Sequence, residues 1–133
     1  MTIDPQPAAF LTAHQQGVLA TAKQDGSPQQ SSVLYHFDGD DLVVSAKTYT
    51  AKWHNAVRQP KVCLAVTDGH EQAIVYGTAE GFDTDPERRD LSRRLFAMMM
   101  PGVELSDEEL EGQLDEQQRT VLRIIPDKVL YNE

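Results

Sequence analysis

The run from Gln30 to Phe37 limits the possible folds most sharply. Ser31, Val33, Tyr35 and Phe37 alternate there with Ser32, Leu34 and His36. A period of two places the first set on one face of a strand and the second on the other. Turn signals bracket the run: Gln24-Asp25-Gly26-Ser27 before it and Asp38-Gly39-Asp40 after it. Pro28 can open a strand, where its missing N–H is tolerated. Gly17–Lys23 reads as the strand before the first turn and Asp41–Ala46 as the strand after the second. Three strands joined by tight turns make an antiparallel meander.

Further strands follow. Val62–Thr67 is a nearly continuous apolar run and reads as a buried strand. Asp68-Gly69-His70-Glu71 turns the chain into Ala73–Phe82, where Gly77 and Gly81 are expected at bulges or close backbone approaches. Arg119–Ile125 and Val129–Tyr131 read as a closing strand interrupted at Pro126. Helical spacing appears in three other places. Ala8–Gln15 is anchored by Phe10 and Leu11. A helix opened by Asp85 and Pro86 carries Leu91, Leu95, Phe96 and Met99 on one face and ends at Pro101-Gly102. Ser106–Gln118 starts with a capping box, Ser106 with Glu109, and has a thin apolar edge of Leu105, Leu110 and Leu114. The expected class is α+β, mainly β: a small antiparallel barrel with flanking helices, one domain over residues 1–133. The late acidic helix is also a candidate for pairing two chains.

Between the meander and the fourth strand lies Ser45–Pro60, SAKTYTAKWHNAVRQP. Thr48 and Thr50 are N-cap types, and Pro60 stops a helix. Lys52 and Asn55, three apart, share one helix face; Trp53, Ala56 and Val57 are expected on the packed one. A helix N-terminus offers free N–H groups to an anion, and Lys47 and Lys52 flank it. Two readings stand: a phosphate cradle, or a solvated crossover helix that carries lysines.

The formal net charge of −9 argues against general nucleic-acid binding. The distribution of charge is more telling. Leu42–Thr67 contains no acid but holds Lys47, Lys52, Arg58 and Lys61, whereas Val103–Gln118 contains seven acids and no base. An acidic chain that keeps one segment free of acids is suited to hold a small anion there, and chance clustering of charge on two solvated surfaces is the other reading. No run approaches the ~20 apolar residues of a membrane-spanning helix. A single cysteine, Cys63, excludes an internal disulfide and suits a reducing compartment, so a cytoplasmic location is expected. Cys63 itself reads as an inert core thiol.

Histidines at positions 14, 36, 54 and 70 have no paired metal-ligand spacing, and no metal site is expected. There is no nucleophile elbow, Walker loop or dinucleotide fingerprint. Any redox chemistry therefore falls to a bound cofactor. Tyr35 and His36 read as ordinary strand residues or as proton donors, and no catalytic residue is assigned.

The segments GVLATAKQDGSPQQSSV and FDGDDLVVSAKTYTAKWHNAVRQPKVCLAV carry a resemblance. Strand, D-G-x-P turn, strand, D-G-D turn, and then a strand leading to a serine, a lysine, an asparagine and a proline follow in order. Asp25, Gly26 and Pro28 match the first turn; Ser45, Lys52, Asn55 and Pro60 match the later pattern. This order is similar to that of the pyridoxamine-phosphate-oxidase-like split-barrel proteins, in particular the small flavin- or deazaflavin-dependent members. The resemblance implies a homodimer of split barrels with the cofactor, FMN or coenzyme F420, in a groove at the interface. It places the cofactor phosphate on Ser45, Ala46, Lys47, Thr50, Lys52 and Asn55, and the ring along Ser31, Ser32 and Val33. It implies an oxidoreductase that passes hydride between this cofactor and a small conjugated acceptor. Other functions in view are a non-catalytic flavin, deazaflavin or haem carrier, and a dimer module with a vestigial pocket. Many relatives have proline and tryptophan at the positions of Ser32 and Leu34, and vitamin B6 oxidation is not expected.

Overall fold

The computed structural model describes residues 2–132. A first helix, α1 (Pro5–Ala13), leads into the meander β1 (Gln16–Ala22), β2 (Pro28–Phe37) and β3 (Leu42–Lys47). The crossover helix α2 (Ala51–Arg58) follows, then β4 (Lys61–Asp68) and β5 (Glu71–Phe82). Helices α3 (Glu87–Met99) and α4 (Asp107–Glu116) precede the last strand, β6 (Arg119–Asn132). The strands close a split barrel in the order β1-β2-β3-β6-β5-β4, with every neighbouring pair antiparallel.

Alternation decides what lies inside. Val33, Tyr35 and Phe37 of β2 point into the barrel with Leu42 and Val44 of β3, Leu64 and Val66 of β4, and Leu122 and Ile124 of β6. Phe10 and Leu11 of α1 join this core, and so do Trp53 and Ala56 of α2. The Tyr35 hydroxyl donates to the Leu11 carbonyl at 2.7 Å, so the buried phenol is satisfied and fixes α1 to the barrel. A second, smaller cluster lies outside the wall: Val43 and Val121 pack against Leu95 of α3.

The two strand glycines sit where a side chain has no room. A Cβ at Gly77 would lie 2.6 Å from Ile124 Cγ2 and 2.8 Å from the Ile125 carbonyl oxygen. A Cβ at Gly81 would lie 2.7 Å from the Trp53 ring, so this glycine lets α2 seat on β5.

Several expectations need correction. The closing strand is not interrupted at Pro126. β6 runs through it, and a register shift at Tyr76/Gly77 places Gly77 opposite Pro126, where the ladder needs no proline N–H. β4 alternates between faces: Val62, Leu64 and Val66 are buried, while Cys63 is half-buried on the outer side. On α2 the faces differ from those expected. Val57 is 56% exposed and Asn55 is buried. Trp53 already fills the space against Gly81, and β1 offers Asn55 a hydrogen-bond partner inside.

Candidate functional site

β3 ends at Lys47, and antiparallel pairing sets Arg119, the first residue of β6, directly beside it. One residue into α2, Lys52 points back toward the same place. Lys52 is held below the usual lysine range, chiefly by burial and then by the charges of Arg119 and Lys47. Three cations thus share one neighbourhood. Among the described residues, none of them forms an ion pair with a carboxylate. Arg119 donates instead to neutral partners, the Ser45 hydroxyl at 3.1 Å and the Gln117 side-chain carbonyl at 2.9 Å. The Lys47 ammonium lies 5.9 Å from the centre of the Tyr49 ring.

The start of α2 adds to this. Thr50 occupies the N-cap, but its hydroxyl donates to the Lys47 carbonyl at 2.8 Å and caps no helix N–H. The first-turn amides therefore gain no side-chain acceptor, and the positive end of the helix adds to the cationic field.

Next to the cations, a cavity of about 510 Å³ opens between the outer barrel wall and the α3–α4 pair. Ser32, Val33 and Leu34 of β2, Ser45 of β3, Lys52 and Arg119 form one side. The other side is mainly apolar and comes from α3, α4 and their connection, including Leu95, Phe96, Met99, Leu110 and Leu114, with Ser92, Gln113 and Gln117 as its polar members. Among the described residues, no carboxylate lines this cavity. A second cavity, about 620 Å³, shares Ser32 and Leu34 with the first and is lined further by His14, Gln16, Val18, Ala65 and Thr67.

The structure brings together only part of the set chosen from sequence. Ser32, Val33, Ser45 and Lys52 line the first cavity. Lys47 and Thr50 stand beside it, at the cations and the helix start. Ala46 is fully buried and points into the barrel. Ser31 does not line the cavity, and its hydroxyl accepts from the Gln29 amide at 3.0 Å. Asn55 is turned away as well. Its amide donates to the Thr21 hydroxyl at 3.2 Å, and its carbonyl oxygen accepts from Arg58, which also holds the Ala22 carbonyl. Asn55 thus clamps α2 to β1. Neither Tyr35 nor His36 lines the cavity. Burial pushes the Tyr35 phenol well above its ordinary range, and burial together with Arg94 lowers His36.

Sequence reasoning missed Arg119. It lies 72 positions beyond Lys47, and only the β3–β6 pairing reveals the contact. A usable signal existed: Arg119 is the first base after the acid-rich segment 103–118.

A family model described as pyridoxamine 5′-phosphate oxidase matches residues 3–133. Solved structures share the fold. A conserved hypothetical protein from Mycobacterium tuberculosis superposes with a TM-score of 0.79 at 21% identity, over 98% of this chain and 84% of that one. An F420 reductase gives 0.73 at 22% identity, over 96% of this chain and 98% of that one. A putative 5-nitroimidazole antibiotic resistance protein from Bacteroides thetaiotaomicron gives 0.77 at 15% identity, over 96% and 82%. At these identities the likeness is one of fold.

Proposed function

Because the chain belongs to the pyridoxamine 5′-phosphate oxidase family, we propose that it binds a flavin-type ring through a phosphorylated side chain and serves as an oxidoreductase. The cofactor is FMN or coenzyme F420. The observation that carries this reading is the group of three unpaired cations at the edge of a cavity without carboxylates. Unpaired cations repel one another, and a bound phosphate would relieve that repulsion while gaining charge-assisted hydrogen bonds. The donor set fits a phosphate: Lys47, Lys52 and Arg119 as charges, Ser45 as a hydroxyl, and the uncapped start of α2. In this reading the backbone of Ser32–Leu34 and the cavity wall orient the ring and keep water from it. The ring supplies hydride transfer to a small conjugated acceptor. The protein supplies position and charge, since no histidine, tyrosine or carboxylate lines the cavity.

The absence of histidine, tyrosine and carboxylate from that lining, among the described residues, favours a second reading, a carrier that binds the ring without turnover. A homodimer suits both readings, because exposed Val18 and Leu34 give the β1–β2 face an apolar surface beside the cavity.

Titrating FMN and coenzyme F420 into the purified protein tests the proposal by absorbance and fluorescence. Saturable binding of one of them, weakened at least tenfold in Lys52→Ala, is expected. If neither binds, or if Lys52→Ala binds as the parent does, the phosphate reading fails. Tight binding with no oxidation of the reduced holoprotein by quinones, enones or nitroaromatics would select the carrier.

A further inference from the structure

Met98, Met99 and Met100 stand in a row at the end of α3, and they do not share one environment. Met98 is partly buried and packs on the small cluster of Val43, Leu95 and Val121 outside the barrel wall. Met99 is 52% exposed and Met100 47%. Both line the first cavity together with exposed Val103, and their exposure places them at its rim.

The end of the helix explains why two consecutive residues reach one cavity. On a continuing helix, neighbours point about 100° apart. Met100 leaves the helical conformation, with φ −129° and ψ 65°, while its N–H still donates to the Phe96 carbonyl at 2.8 Å. Pro101-Gly102 then turns the chain, with Gly102 at φ +82°, and the Val103 N–H donates back to the Met100 carbonyl at 3.2 Å. This turn holds both thioethers at the rim. Core filling does not account for them. Methionine serves a core by adapting to irregular gaps, and a side chain half in water fills none. Leucine would give the rim the same apolar character. What the thioether has and leucine lacks is a sulfur lone pair that accepts an oxygen atom.

We propose that Met99 and Met100 are a site of reversible oxidation by hydrogen peroxide, and that their sulfoxides loosen the cavity's hold on the ring it takes. In the step, a sulfur lone pair attacks one peroxide oxygen. The S–O bond forms as the O–O bond breaks, and the other oxygen leaves as water with both protons. Sulfur is oxidised by two electrons and the peroxide is reduced by two. The product is polar where the thioether was apolar. A sulfoxide oxygen at the rim loses water when a ring covers it, and that desolvation lowers affinity. Met98 is spared, because susceptibility follows exposure. The consequence for binding rests on the cofactor reading, whereas the site of oxidation does not.

Dilute hydrogen peroxide followed by fragment-ion mapping tests the site. Met99 and Met100 are expected to gain oxygen well before Met98. The oxidised parent is expected to bind whichever cofactor the untreated protein takes about fivefold more weakly. Methionine sulfoxide reductases A and B, one for each sulfoxide epimer, are expected to restore it. Anilinonaphthalene sulfonate, an apolar ring system with one anionic group, is expected to bind the untreated protein and to show the same loss without either cofactor. In the double variant Met99→Leu, Met100→Leu, treatment is expected to leave affinity as it was before treatment, although Met1, Cys63 and Met98 remain. Oxidation is expected to leave the unfolding temperature unaltered, since both side chains are exposed. Oxidation of Met98 ahead of its neighbours, undiminished affinity in the oxidised parent, an equal loss in the leucine variant, or a lowered unfolding temperature would each overturn the proposal. A protein that takes up neither cofactor removes the cofactor reading, and the map and the anionic probe then decide the site.

Discussion

Two groups of cations lie on the outer wall of this barrel, and they behave in opposite ways. On α3 every arginine has a carboxylate. Arg88 bridges Asp85 and Asp115, Arg89 meets Glu111, Arg93 meets Asp107, and Arg94 meets Asp41 at 2.7 Å. Arg123 of β6 reaches the same Asp41 at 2.6 Å. At the β3–α2 corner, among the described residues, Lys47, Lys52 and Arg119 pair with no carboxylate. The groups are close neighbours, since the Arg88 guanidinium donates to the Arg119 carbonyl at 3.3 Å. In an acidic molecule, unpaired cations beside paired ones mark a place where charge is left for something else. The α3 network should therefore contribute to stability and the corner to binding.

The largest expected effect tests the paired side. Arg94→Met takes one guanidinium from buried Asp41 and leaves it with Arg123 alone. A loss of about 2 kcal/mol in unfolding free energy is expected, because the buried carboxylate loses one of its two cationic partners and keeps Arg123. It is read from the urea midpoint at unchanged slope. An unmoved midpoint would break the comparison.

The next effect tests the corner. Arg119→Ala should lower cofactor affinity by about 2 kcal/mol, the worth of a hydrogen bond to a charged group, while stability changes by less than about 0.5 kcal/mol. A variant that loses stability and keeps affinity would assign Arg119 to the structural group.

Acid titration sharpens the paired side further. His36 accepts from the Arg94 guanidinium at 3.2 Å and is held below 6.5 by burial first and by Arg94 second. Its folded pKa is depressed, so the unfolded chain takes up the proton first. Stability is therefore lost as pH falls below 6.5 toward the folded value, and His36→Gln should flatten that slope. His14 shifts the other way, raised by its bond to the Phe10 carbonyl and then by Asp68. Its contribution is complete below 6.5 and is lost as pH rises through the folded value, so His14→Gln should remove a slope of opposite sign.

The smallest effect concerns Lys52. Burial, Arg119 and Lys47 depress it, and a bound phosphate would offset all three. In the alkaline range below 10.5, cofactor binding should take up a fraction of a proton. Calorimetry in buffers of different ionisation enthalpy reads this directly, and its loss in Lys52→Ala would assign it.

Local signals carried most of the fold. Turn residues at Asp25-Gly26 and Asp38-Gly39 set the meander, the Ser106–Glu109 capping box formed as expected, and the tight glycines at 77 and 81 are where the backbone crowds. Non-local pairings carried what was missed. Nothing near Arg119 in sequence says that it meets Ser45. Nothing on α2 says that Thr21 would draw Asn55 inward, a choice β1 makes. The α3 stripe of Leu95, Phe96 and Met99 read correctly as apolar. Whether such a stripe is packed or left lining a chamber depends on how far α4 approaches, and ion pairs distant in sequence fix that approach.

β6 enters the sheet between β3 and β5, which has a consequence for biosynthesis. As the chain emerges from its N-terminus, the lysines at 47 and 52 appear well before their third companion. The proposed anion site is therefore finished by β6, the last strand in chain order among the described residues. A ligand of that site cannot chaperone the early meander; it rewards only the closed barrel, so its presence reports assembly that is already complete.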